Sequence, residues 1–161
     1  MSVEERLGEL GFTLPDAPGA LAMYRPALQS GQYVFVSGQV AMRDGAIVHP
    51  GVVGAQQTVE AAREAAQVAT LNALAAVKAL RGSLDGLRVV RLTGYVAATP
   101  DFGEHPQVVN AASELLRDVF GEEHGIGTRL ALGVSSLPLQ SPVELELLLE
   151  VLDDGQRGIP A

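Results

Sequence analysis

No cysteine occurs among the 161 residues of this chain, which removes a disulfide framework, a thiolate nucleophile and any cysteine-ligated zinc at once. Positive charge is also scarce. Eleven Lys and Arg stand against nineteen Asp and Glu, for a formal charge of −8. Phosphate backbones and anionic membranes are held by clustered Lys and Arg, so nucleic acid is disfavoured as a partner and no membrane is expected. No apolar run reaches the eighteen residues needed to span a bilayer, and Glu4 and Glu5 stand where a secretory leader would be basic. The expected location is cytoplasmic. No Gly-x-Gly-x-x-Gly follows a strand and no Ser-centred nucleophile elbow occurs, so nucleotide cofactors and serine hydrolysis lack support. His49, His105 and His124 are scattered without a helical i, i+4 pair, so a metal site is not expected.

What is present reads as one folded domain. Hydrophobic residues make up 47% of the chain against 19% charged, enough apolar material for a packed core at a length that suits one unit. The domain is expected over residues 1–153, with a helix and extension in 1–16 and a flexible polar tail at 154–161.

Local signals set the order of elements. Ser2-Val3-Glu4-Glu5 has capping-box spacing, which predicts a short helix stopped by Gly11. The stretch 12–26 carries Pro15, Pro18, Gly19 and Pro26 and reads as an extended segment. Residues 33–36 predict a strand ending at Ser37-Gly38, returned through a turn at Arg43-Asp44-Gly45 to a hairpin partner at 46–48 that would make the first sheet edge. Thr58 caps a predicted helix to about Leu80, rich in alanine on one face and ended at Gly82. A buried strand at 89–98 follows. His105-Pro106 opens a second helix, which Gly121 stops. Strands at 129–136 and 143–151 complete the chain. This order favours an α+β mixed sheet with both helices on one face, leaving the other to be buried against further copies of the chain.

Two side chains in the last strands invite chemistry. Alternation puts Arg129, Ala131, Gly133 and Ser135 on one face of their strand and Leu130, Leu132 and Val134 on the other. An arginine heading a row of small residues leaves room for bidentate capture of a carboxylate, although from spacing alone a structural ion pair or a snorkelling strand-end arginine is the more ordinary reading. In the final strand Glu144, Glu146 and Glu150 share a face with Leu148. That pattern suits an ordinary solvated face, or a general base at Glu144 near the strand start.

Taken in order, Tyr24, Ser37-Gly38-Gln39, Val109-Asn110-Ala111, Arg129, Leu137-Pro138 and Val143-Glu144-Leu145-Glu146 resemble the Rid family, also called YjgF or L-PSP proteins. The resemblance spans about residues 17–151. It implies a chorismate-mutase-like fold assembled as a homotrimer with clefts between subunits, and cofactor-free hydrolysis of reactive 2-enamino and 2-imino acids to 2-keto acids and ammonia. By position, Arg129 matches the arginine that grips the substrate carboxylate and Glu144 the acid that positions water. Tyr24, Ser37, Gly38, Asn110 and Ala131 match other cleft-lining positions. The archetypal deaminases follow their arginine with Ser-Cys, where this chain has Leu130-Ala131. The N-terminal helix and the residues around 52–57 resemble a divergent, chorismate-mutase-like branch. A ligand-binding or regulatory trimer without turnover is therefore the second expectation, and the ribonuclease activity implied by the L-PSP label a third.

Overall fold

The computed structural model describes residues 1–17, 19 and 22–153; the tail expected at 154–161 lies outside them. Ser2 caps helix α1 (Val3–Glu9) with both halves of the capping box formed. Arg6 donates from its guanidinium to the Asp118 carbonyl, which moors the short helix on the rest of the chain.

Five strands form the main sheet: β1 (Ala27–Ser30), β2 (Tyr33–Val40), β5 (Leu87–Ala97), β6 (Thr128–Val134) and β7 (Val143–Val151). Their order is β1-β2-β7-β5-β6, with β5 and β6 parallel and the other neighbours antiparallel. The sheet is therefore mixed, as expected. Its edge differs from expectation. The partner of β2 is β1, directly after the proline-bearing stretch, whereas β3 (Met42–Arg43) and β4 (Ala46–Ile47) form a separate small hairpin. Pro26 immediately precedes β1 and leaves its amides intact, so the strand can pair from its first residue.

Helices α2 (Val59–Arg81) and α3 (His105–Gly125) cover one face. Thr58 caps α2, and Gly82 ends it at φ 82°, a left-handed cap that glycine adopts without Cβ strain. Small side chains allow α2 to lie close on the sheet: Ala62, Ala65, Ala66, Ala69 and Ala73 are fully buried against Val34, Leu145 and Leu149. Truncating a core leucine such as Leu145 to alanine should cost about 2–5 kcal/mol. Gly121 interrupts α3 with φ 82° and ψ 167°, after which one more turn reaches Gly125; it kinks the helix rather than ending it.

Two strands orient their apolar rows oppositely. In β7, Val143, Leu145, Leu147 and Leu149 face the helices. In β6 it is the small row, Arg129, Ala131 and Gly133, that faces α3, because this row is in register with Leu92, Gly94 and Val96 of β5. A Cβ on Gly94 would come 2.6 Å from Val109 Cγ2 of α3, and a Cβ on Gly133 would collide with the His105 ring. Close approach of α3 thus demands small residues below it. Leu130, Leu132 and Val134 are sent to the uncovered face, where Leu28, Tyr33, Phe35 and Leu130 are each 43–50% exposed.

Candidate functional site

A bulge between Val36 and Gln39 shifts the register of β2 against β7, so Ser37-Gly38 lies within the strand and not at its end. The Ser37 amide donates to the Pro26 carbonyl at 2.9 Å and its hydroxyl to the Arg25 carbonyl at 2.6 Å, tying the entry segment to the bulge. Tyr24 is thereby held beside Ser37, Gly38 and Glu144 in one cleft of about 570 Å³. Glu144 enters it from β7, on the uncovered face, opposite Val40 and Tyr95.

The glutamates of β7 do not share one environment. Glu146 is exposed, and Glu150 is paired with Arg88. Glu144 is half-buried, and among the described residues no cation or hydrogen-bond donor reaches it. Burial, reinforced by the like charge of Glu146, raises its carboxyl above the usual range. An unpaired carboxyl of raised pKa in a cleft fits acid–base chemistry and sets Glu144 apart from a solvated row.

Asn72 and Pro138 also line this cleft; Pro138 stands in the Leu137-Pro138 motif without a predicted site role, and the sequence reading missed Asn72. Asn72 donates to the Val40 carbonyl at 3.0 Å and the Met42 carbonyl at 2.9 Å, fixing the point where the chain leaves β2 for the small hairpin. Its signal was an amide set in the alanine face of α2.

Arg129 lies elsewhere in the same chain. It projects from β6 on the helix face, where Nη1 donates to Asn110 Oδ1 at 2.6 Å and Ser113 Oγ at 3.3 Å. Both acceptors are neutral, and among the described residues no carboxylate pairs with this guanidinium. The ion pair allowed by the spacing is not formed. Ser113, three residues beyond Asn110 on α3, is a second neighbour that helical spacing could have shown. Ala131 shares the Arg129 face, partly buried beside Gly94, whereas Leu130 points to the other face. Of the two residues that depart from the Ser-Cys pair, only Ala131 is therefore on the arginine's side.

Within one chain the two proposed catalytic residues are not brought together. Arg129 is level with Leu92 of β5, and Glu144 with Tyr95. With a rise of ~3.3 Å per residue and two strand spacings of ~4.8 Å, they stand about 14 Å apart along the sheet and on opposite faces of it. Tyr24, Ser37, Gly38 and Glu144 make one group; Arg129, Asn110 and Ala131 make another.

The histidines stay apart. His49 meets Glu64 at 2.6 Å, and His105 stacks edge-on against Phe102 with ring centroids 5.1 Å apart. Among the described residues no group of three or more His, Asp or Glu is placed to hold a metal, and no helix is long and apolar enough to cross a membrane.

Residues 4–151 match the family described as "YjgF/chorismate mutase-like, putative endoribonuclease". The Trypanosoma cruzi protein TCP17 is 37% identical over 150 residues, covering 92% of this chain and 94% of that protein. An Agrobacterium tumefaciens protein of unknown function is 42% identical, with a TM-score of 0.85 over 93% of this chain and 92% of its own. A Shewanella oneidensis structure described as a putative endoribonuclease is 33% identical, with a TM-score of 0.89 over 94% of this chain and 100% of its own.

Proposed function

Because this chain belongs to the YjgF/chorismate mutase-like family, we propose that it is a cofactor-free deaminase that hydrolyses 2-enamino and 2-imino acids to 2-keto acids and ammonia, working in clefts between the copies of a homotrimer. One observation carries the reading. Among the described residues Arg129 has no carboxylate beside it and Glu144 no cation, and the two lie on opposite faces of the sheet. Arg129 is exposed on the edge strand β6, so a second copy whose β6 edge meets the apolar uncovered face of the first would bring its Arg129 to the Glu144 cleft.

In that cleft Arg129, steadied by Asn110 and Ser113, holds the substrate carboxylate through its remaining N–H groups. The carbon of the C=N bond is then oriented toward a water held by Glu144. Glu144 takes a proton from the attacking water and returns it to nitrogen. The resulting carbinolamine loses ammonia to leave the keto group, so one water is consumed and no redox change occurs. A carboxyl of raised pKa suits both transfers. Carboxylate recognition also fits E. coli TdcF, a structure with bound serine that shares the fold at a TM-score of 0.57 and 22% identity.

Coupling an amino-acid oxidase to the protein tests this. Wild type should accelerate keto-acid release and Arg129→Ala should not; equal behaviour of the two would exclude the mechanism. Ala131, which supplies no polar atom beside Arg129, favours one second reading: a trimer that binds small carboxylates without turnover. Arg129-dependent binding of a 2-keto acid with no acceleration would select it. The formal charge of −8 works against ribonuclease action, and RNA cleavage lost in Arg129→Ala would reinstate it.

A further inference from the structure

Beside Arg129 lies a second, smaller cavity of about 200 Å³ between α3 and the end of the sheet. Val89 and Leu92 of β5, Leu116 of α3 and Ile126 form its apolar walls, and Ser113, Thr128 and Arg129 supply polar atoms; among the described residues no acidic side chain lines it. Resting on the deaminase reading, we infer that this cavity receives the substrate's side chain, so that the preferred substrates are 2-imino acids with apolar side chains of isobutyl to benzyl size.

The loop that builds the cavity is specialised. A Cβ on Gly125 would collide with the Leu116 carbonyl and come 2.6 Å from Arg117 Cα, and a Cβ on Gly127 would come 2.5 Å from the Val89 carbonyl. The loop therefore seats its backbone directly on α3 and β5. Between these glycines stands Ile126, 57% exposed. Two glycines that press the backbone inward hold an isoleucine at the cavity rim, where burying it contributes little to the fold.

Size and charge then define the ligand. An apolar cavity of about 150 Å³ accommodates benzene, so about 200 Å³ takes a four- to seven-carbon side chain. The guanidinium fixes the carboxylate end, and its distance from the cavity is only that of adjoining walls. A side-chain carboxylate would have to enter an apolar pocket unpaired, which is costly.

Calorimetry on the full chain with product analogues tests the assignment. 4-Methyl-2-oxopentanoate should bind at least about tenfold more tightly than pyruvate, the discrimination a hydrophobic pocket gives for a methylene or two, and 2-oxoglutarate should bind more weakly than 4-methyl-2-oxopentanoate. Ile126→Asp, at an exposed site and checked for folding by circular dichroism, should bring the 4-methyl-2-oxopentanoate to pyruvate ratio toward one. Arg129-dependent binding with equal affinities for those two acids, or a ratio that Ile126→Asp leaves unchanged, would overturn the pocket assignment while sparing the deaminase reading. Absence of any Arg129-dependent binding, with no acceleration of keto-acid release, would remove both.

Discussion

Gly38 and Glu144 face each other across β2 and β7 so closely that a Cβ on Gly38 would fall on Glu144 Oε1, 3.1 Å from Cδ. The glycine is needed for the carboxyl's position and not for a left-handed backbone, since its φ is not positive.

Gly38→Ala should therefore displace Glu144 and leave the fold standing, because the colliding atom is the end of a flexible side chain. Keto-acid release should fall by about tenfold to 100-fold, as expected for a catalytic group moved by an ångström. The melting temperature should move by only a few degrees. Unchanged turnover would show that Glu144 does not act from this position.

Asn110→Asp addresses the group around Arg129. The substitution keeps the shape of the side chain at 2.6 Å from Arg129 Nη1 but supplies a carboxylate. A guanidinium so compensated has less field to offer a ligand, and binding of a 2-keto acid should weaken at least tenfold by calorimetry. Asn110→Ala, which leaves Arg129 charged but less steady, should weaken it less. If Asp and Ala were equivalent, charge on Arg129 would not be what the ligand reads.

The pH dependence of stability separates two glutamates of opposite sign. Burial raises the Glu144 carboxyl, so its contribution is fully present below the unfolded value of about 4.3 and is lost as pH rises through the higher folded value. Glu144→Gln should therefore gain stability relative to wild type as pH rises from about 4. Glu64 is lowered, chiefly by the hydrogen bond from His49. Its contribution is present above the unfolded value and is lost as pH falls through the folded one, so Glu64→Gln should be less stable than wild type near neutrality and match it near pH 2–3. Denaturant titrations of the three proteins across pH 2–8 would decide both signs.

Leu28, Phe35 and Leu148 pair across β1, β2 and β7 and form an apolar stripe on the uncovered face. Phe35 is 50% exposed in the single chain. If copies pack on this face as proposed, wild type should scatter as three chains and a Phe35→Glu variant as one, with circular dichroism retained. Deaminase activity should be lost with it if the site is shared between copies. A wild-type monomer with full activity would contradict the shared cleft.

Local chemistry in the sequence determined the elements that depend on near neighbours. The Ser2 capping box, the Thr58 cap, the Gly82 stop and the His105-Pro106 helix start each involve atoms within a few residues, and each is seen. The residues of the two groups around Arg129 and Glu144 entered through the family resemblance, since spacing alone left Arg129 and Glu144 with ordinary structural readings. Tertiary structure decided what pairing and parity control. β1 became a strand because β2 offered it a partner, and the bulge at Ser37-Gly38 aimed Gly38 at Glu144 by shifting register. Packing of α3 on β6 decided that the small row lies inside and the leucines outside. It therefore put Arg129 and Glu144 on opposite faces, a relation that depends on strand order and register, which residues far apart in the chain establish together.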